Sequence, residues 1–311
     1  MAKNVVITGG SGNLGRYIAQ ELKDDYNVLL FDQIRPDEYV HWGTQKSFVW
    51  DTDLPFVLGD LTSLEDCMRA IALAEADAVV HVGAISNRTE MYRGRLSQQR
   101  LPEDETMRVN TMGTYYVLDA ARRLDVEQVV MASTLSVTGL HNRISGTPFE
   151  VEYLPIDEDY PLRPQSTYGL SKLLDEEILK AFSRGYGIQT VAFRLSGIYY
   201  PHRNNVTRGI VPEKKPASFS PFVYVDARDA ARAFHLALEA EDLEPFEAFF
   251  LNTDTVLAEE TQVVLERLYP ELGDMVAGFE GYEMPVSIEK LRTKLGYEPK
   301  YSWRDIGLEE E

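Results

Sequence analysis

An α/β fold, a doubly wound parallel sheet with a small C-terminal lobe, is predicted by three observations. Apolar runs of strand length alternate with stretches of helix length. A glycine-rich turn, Thr8 to Gly15, joins the first run to the first helix, and the 311 residues exceed the size at which single cores stop growing.

Taken in order, Val5 to Thr8 reads as a strand, Leu14 to Lys23 as a helix, and Val28 to Phe31 and Phe56 to Leu58 as the next two strands. A helix near Leu64 to Ala74, a strand from Ala78 to Val82, a helix near Glu105 to Leu124 and a strand from Gln128 to Ser133 continue the alternation. A helix from Tyr168 to Tyr186 and a strand from Thr190 to Arg194 follow, with a seventh strand expected near Phe249 to Asn252. Beyond residue 195 the pattern changes, because Pro201, Pro212, Pro216 and Pro221 break any long helix. The expected division is residues 1–195, with the strand near 249–252 returning to them, and a smaller, partly interleaved lobe over 196–311. Helical pieces in the lobe are expected at Asp226 to Ala240, Glu259 to Tyr269 and Ser287 to Leu295, with Glu309 to Glu311 a frayed acidic tail.

Composition narrows the function classes. A hydrophobic fraction of 44% supplies a core and argues against disorder. The formal charge of −19 speaks against a nucleic-acid partner, since a phosphate backbone needs a basic footprint. Simple solubility accounts for it, with a high-salt habitat as the alternative. The longest apolar runs are strand-sized, too short for a membrane span. Cys67 is the single cysteine, and Met-Ala-Lys-Asn leads straight into a strand pattern rather than a signal segment, so a reducing, cytoplasmic setting is expected. His81, His141 and His202 lack metal-ligand spacing, and no metal site is expected.

The turn contains Gly10-x-Gly12-x-x-Gly15 between a strand and a helix, the context a dinucleotide site requires. Glycine admits positive φ and close backbone approach, and the helix N-terminus offers amides to a pyrophosphate. Gly9, Gly12, Asn13, Leu14 and Gly15 are the expected contacts. Asp32 ends the second strand, 17 residues beyond Gly15. Its carboxylate can accept from a ribose diol and repels a 2′-phosphate, which favours NAD over NADP; Arg35 is the nearby cation that acts in the other direction. Asp60 and Leu61, after the third strand, could hold the adenine edge, although Asp60 could equally cap the helix that Thr62-Ser63-Leu64 opens.

Tyr168 and Lys172 are spaced i and i+4, so one helix face carries both. Bringing a phenol from pKa ~10 to near 7 requires roughly 4 kcal/mol in favour of the phenolate, about what one cation ~4 Å away supplies at an effective dielectric near 20. One lysine could therefore suffice to make Tyr168 a base.

These residues resemble the extended short-chain dehydrogenase/reductase family, also called the NAD-dependent epimerase/dehydratase family. The resemblance is carried by Thr8 to Gly15, Asp32, Gly59-Asp60-Leu61, His81-Val-Gly-Ala84, Asn110, Ala132 to Gly139, Pro161-Leu-Arg-Pro164, Tyr168 with Lys172, and Phe222 to Asp226, in order and spacing. It implies a Rossmann fold with a C-terminal substrate lobe and NAD as cofactor. It also implies that Tyr168 transfers the proton, that Lys172 is its electrostatic partner and ribose ligand, and that Thr134 is the hydroxyl partner, five residues before Gly139. Ser133 and Ser136 stand close enough to compete for that last role, and Asn110 would brace the site. Further cofactor contacts are implied at Val82, Gly83, Ala84 and Ser133, and substrate contacts at Ser86, Arg88, Ser136, Gly197 and Arg203.

Two departures bear on substrate. Many relatives have Asn where Gly197 stands, and only residues 202–221 separate Pro201 from Phe222, a shorter insertion than nucleotide-sugar members carry. The expectation is NAD-linked oxidation or reduction at a carbinol of a sugar or sugar acid. A nucleotide-sugar epimerase is the alternative, and a non-catalytic NAD sensor a third reading. Arg88, Arg93, Arg95 and Arg100, then Arg203, Arg208, Lys214 and Lys215, form two basic segments that are either solvated loops or an anion-binding rim. A homodimer through the helices holding Asn110 and Tyr168 is implied by the resemblance, with Met112, Tyr115, Tyr116 and Leu173 available to it or to the core.

Overall fold

The alternation of runs becomes, in a computed structural model that describes residues 2–38, 53–85, 103–140, 150–216 and 219–307, a seven-stranded sheet whose neighbouring pairs are all parallel. In chain order the strands are β1 (Asn4–Thr8), β2 (Asn27–Asp32), β3 (Phe56–Leu58), β4 (Ala78–His81), β5 (Gln128–Thr134), β6 (Gln189–Leu195), β7 (Gly197–Tyr199), β8 (Val223–Asp226), β9 (Phe246–Leu251) and β10 (Asp254–Thr255). The large sheet has the order β3-β2-β1-β4-β5-β6-β9. Because the chain winds outward from β1 and then returns to set β4 on its other side, a crevice opens between the carboxyl ends of β1 and β4.

The helices are α1 (Asn13–Leu22), α2 (Leu64–Ala74), α3 (residues 103–123), α4 (Thr167–Tyr186), α5 (Ala227–Glu239), α6 (Thr261–Leu268), α7 (Glu289–Leu295) and α8 (Trp303–Ile306). Strand alternation sends Val5 and Ile7 into a core with α1, α5 and α7, and Val6 into an opposite core with α2, α3 and α4. Ile18 and Leu22 of α1 are wholly buried, a contribution of roughly 1.5–3 kcal/mol each. A third core gathers Leu135, Ile156, Tyr199, Tyr224 and Phe250, so it draws on residues on both sides of position 195.

Two features were not anticipated. Strands β10, β8 and β7 form a small second sheet, each too short to show a period. Helix α3 is interrupted by a π-helical turn, Arg108–Met112.

Candidate active site

The glycine turn is built by close contact. Gly9 has φ +68°, and a Cβ there would lie 2.5 Å from the Cα of Gly83, so a side chain at Gly9 would displace the Gly83 backbone. A Cβ on Gly15 would lie 2.3 Å from the Gly9 carbonyl oxygen. Gly12 caps α1 with no side-chain acceptor, which leaves the first helix amides to an external anion. Asn13 follows with a buried Oδ1 that has no partner among the described residues, and Leu14 is buried beneath it in the core.

Asp32 accepts from the Ser11 amide at 3.1 Å and from the Ile34 amide at 3.3 Å. Burial raises its carboxyl above the ordinary range, and those amides oppose the rise. Arg35 is engaged over the Phe56 ring, 5.7 Å from its centroid. The Asp60 carboxylate takes the Thr62 amide and hydroxyl, each at 2.8 Å, while Ser63 caps α2 by accepting from Asp66. Leu61 lies over Gly83, where an added Cβ would meet its Cδ1 at 2.6 Å. Val82 donates to the Thr8 carbonyl at 3.2 Å, and Ala84 is exposed beyond it. Glycine cradle, unpartnered Asn13 oxygen, open helix end and strand-end carboxylate all converge on one crevice and fit a dinucleotide.

Across that crevice, Thr134 ends β5 and its Oγ1 accepts from Ser136 at 3.2 Å, opening the short turn Leu135–Thr138. Helix α4 starts at the Ser166 cap, which accepts from Gly169 at 3.0 Å. A Cβ on Gly169 would lie 2.8 Å from the Ser136 carbonyl, so glycine lets the helix approach the turn. That approach sets Tyr168 where Thr134 and Lys172 both act on its phenol. Ser133 is committed elsewhere, donating to Glu176 at 2.6 Å. Glu176 also holds Arg194 in a wholly buried pair at 2.9 Å.

The lysine has a carboxylate partner that the sequence reading did not name. Its Nζ lies 2.8 Å from the Asp175 carboxylate, with both side chains buried. Burial holds the Tyr168 phenol above its ordinary value, Lys172 and Thr134 act to lower it, and Asp175 adds to the rise. Burial thus opposes the lysine, and a carboxylate shares its charge.

Asn110 sits in the π-helical turn, wholly buried. Its Oδ1 accepts from the Ile85 amide at 2.8 Å, and its Nδ2 donates to the Ile85 carbonyl at 3.0 Å and to Ser171 at 2.9 Å. It thus clamps the segment after β4 to α4. His81 bridges Thr8, at 2.6 Å, and Thr114, at 3.0 Å. Burial and then Lys172 push its pKa down to about 3.

Of the expected substrate contacts, Ser86 and Arg88 lie outside the described residues, as do Arg93, Arg95, Arg100 and His141. Ser136 is buried in the turn after Thr134. Gly197 opens β7 with nothing within 4 Å of an added Cβ, so space does not dictate glycine there. Arg203 ends the turn Pro201–Arg203, next to His202, whose Nδ1 meets the Tyr17 hydroxyl at 3.1 Å. In the second basic segment, Arg208 lies 3.7 Å over the Tyr199 ring and Lys215 pairs with Glu271, so both are held within the lobe. Sequence reasoning missed Asp175 and Thr114, although Asp175 shares the stripe of Tyr168 and Lys172 at i+7.

No helix of the described residues is long and apolar enough to cross a membrane. The chain is 29% identical over 196 residues to a Methanocaldococcus jannaschii protein named "Putative UDP-glucose 4-epimerase", covering 63% of this chain and 56% of that one. It is 25% identical over 202 residues to a uronate dehydrogenase of Pseudomonas putida, covering 65% and 63% of the two chains. The matched region thus spans less than two thirds of either relative. Among solved structures, the UDP-glucose 4-epimerase of Thermotoga maritima shares the fold with TM-score 0.65 at 22% identity, over 97% of this chain and 95% of that one. The model of the NAD dependent epimerase/dehydratase family matches residues 5–216, and with the cradle described above this shows that the chain belongs to that family and uses NAD.

Proposed function

We propose that the protein is an oxidoreductase acting at a carbinol of a sugar or sugar-acid substrate, with Thr134, Tyr168 and Lys172 as its working triad. The observation that supports this reading is that Thr134, at the end of β5, and Lys172, one turn along α4, both act on the Tyr168 phenol, at the carboxyl edge of the sheet that also holds the glycine cradle. NAD, when bound, supplies the acceptor for the hydrogen leaving the carbinol carbon with its electron pair. Tyr168, as phenolate, takes the hydroxyl proton from the same carbinol. Thr134 orients that oxygen, and Lys172 stabilises the charge left on the phenolate and grips the ribose. Asn110 holds the neighbouring backbone in place.

The uronate dehydrogenase relatives and the short segment between Pro201 and Phe222 favour a free sugar acid. Nucleotide-sugar epimerisation is the second reading, favoured by the name of the Methanocaldococcus relative. An enzyme of that kind must retain its keto intermediate while it turns over, which a large nucleotide handle assists. The non-catalytic sensor is the weakest reading, since Thr134, Tyr168 and Lys172 are all present. Met112, Tyr115, Leu170 and Tyr186 expose apolar surface on α3 and α4 and would seat a second copy of the chain. The lone, buried Cys67 fits a reducing, cytoplasmic setting.

The test is absorbance at 340 nm with NAD and a panel of free sugars, sugar acids and UDP- or GDP-sugars. Net NADH formation with a free sugar or sugar acid supports the dehydrogenase. Product isomers without net NADH would replace it with the epimerase.

A further inference from the structure

Tyr168, Lys172 and Asp175 lie at i, i+4 and i+7 on α4, one stripe of the helix. Lys172 Nζ is 2.8 Å from Asp175 Oδ2, with exposures of 2% and 0%, and its other near neighbour is Met131 Sδ at 3.8 Å. The second carboxylate oxygen, Asp175 Oδ1, has no hydrogen-bond partner among the described residues. The adjacent buried carboxylate is unlike it: Glu176 receives Ser133 Oγ, Arg194 Nε and Arg194 Nη2. A carboxylate present only to stabilise the fold would be saturated in the same way, because an unpartnered buried acceptor is costly.

Among the described residues, these charged or titratable groups act on the pair. On α4 they are Tyr168 and Glu176, the latter neutralised by Arg194 of β6. From β4 comes His81, held neutral, and from α3 the Thr114 hydroxyl, which lies beside the Asp175 carboxylate and favours its ionised form. Donor and acceptor roles run in one direction if His81 carries its proton on Nε2: Thr8 donates to Nδ1, Nε2 donates to Thr114, and Thr114 faces Asp175.

We propose that Asp175 is a positioning residue that anchors the Lys172 ammonium and, through it, sets the pH at which Tyr168 exchanges its proton. The proposal rests on the triad reading given above. A lone ammonium acts on the phenol as a full charge. One paired at 2.8 Å acts as a dipole, whose field falls off faster, so the carboxylate restrains how acidic Tyr168 becomes.

The experiment compares wild type with Asp175→Asn, which keeps shape and removes charge, and with Thr114→Val, which removes the hydroxyl favouring the carboxylate. Ligand-free protein labelled with carbon-13 at the tyrosine ζ position is titrated by NMR, and the Tyr168 signal is identified by its loss in Tyr168→Phe. The Tyr168 midpoint is expected to fall by about one pH unit or more in Asp175→Asn, and in the same direction by less in Thr114→Val. In turnover, the acidic limb of kcat for oxidation should move down by the same amount. Asp175→Glu, which restores the charge, should return the limb toward its wild-type position. A midpoint that stays put or rises in whichever variant folds overturns the proposal, as does a lowered kcat with an unmoved limb. Undiminished turnover in Tyr168→Phe would instead overturn the triad reading itself.

Discussion

Gly9 and Gly83 touch across the switch point of the sheet, so closely that a single methyl on Gly9 would come within 2.5 Å of the Gly83 Cα. The contact fixes the glycine turn after β1 against the segment after β4, where the proposed dinucleotide crevice opens. Gly9→Ala must also hold a non-glycine residue at φ +68°, which costs roughly 1–2 kcal/mol before any clash is counted. The expected outcome is at least a 10-fold weaker NADH complex, read by quenching of intrinsic fluorescence on titration. Wild-type affinity in this variant would show that the turn opens without cost.

Asp32 does two things at once: it anchors the Ser11 amide of the turn and offers acceptors at the strand end. Hydrogen bonds to charged groups are worth about 1.5–3 kcal/mol, so Asp32→Ala should weaken NAD roughly 10- to 100-fold. NADP should lose less, because its 2′-phosphate no longer meets a carboxylate. Dissociation constants for both nucleotides give the ratio, and an unchanged ratio would remove Asp32 from the ribose site.

Tyr168→Phe deletes the proposed proton acceptor while leaving the ring in place. Loss of a general base lowers turnover by about 10²–10⁴-fold, and NAD affinity should stay within a few-fold of wild type. Steady-state kinetics with the best substrate from the panel, together with direct cofactor titration, separate the two effects. Substantial residual turnover would mean that another group takes the proton.

Much of this site was legible in the chain because its chemistry is local. Strand, glycine turn and helix follow one another in sequence, Asp32 closes the next strand, and Tyr168 and Lys172 are fixed by helical periodicity alone. Thr134 could be ranked above Ser133 from its distance to Gly139 within the family pattern, and Ser133 is turned toward Glu176. What stayed hidden depends on contacts far apart in sequence. The hold of Asn110 on Ile85 spans 25 residues, and the link from His81 to Thr114 spans 33. The net effect on Tyr168 could not be read from the lysine alone, since burial is a property of the assembled fold. The small sheet of β7, β8 and β10 escaped notice because strands of two to four residues carry no readable period.

Asn110→Ala removes three hydrogen bonds from a wholly buried site and leaves the Ile85 backbone groups and the Ser171 hydroxyl to find other partners. At about 1 kcal/mol each, the loss in unfolding free energy should reach roughly 2–3 kcal/mol. The π-helical turn that presents Asn110 should relax toward ordinary α-helix, because such turns persist where a side chain requires them. Urea midpoints with an unchanged slope would report the first effect. A fall in kcat larger than the rise in KM would report that the clamp positions the crevice as well as stabilising it. Stability and kcat both at wild-type values would show that the clamp does neither.

His81 gives the fold a defined acid sensitivity. Its pKa is pushed from 6.5 down to about 3 by burial and the nearby Lys172, so the folded protein keeps the ring neutral where the unfolded chain binds a proton. Below pH 6.5 the unfolded state therefore holds more protons than the native state, and stability rises with pH. The contribution is fully present above pH 6.5 and is lost as the pH falls toward about 3, an effect on the order of a few kcal/mol. In His81→Gln the amide can keep one of the two hydrogen bonds but cannot titrate. That variant should be less stable than wild type at pH 7 and show a shallower dependence of unfolding free energy between pH 4 and 6.5, measured by urea denaturation at each pH. A slope identical to wild type would mean that the imidazole is protonated in the native state, and the neutral bridge from Thr8 to Thr114 would then be wrong.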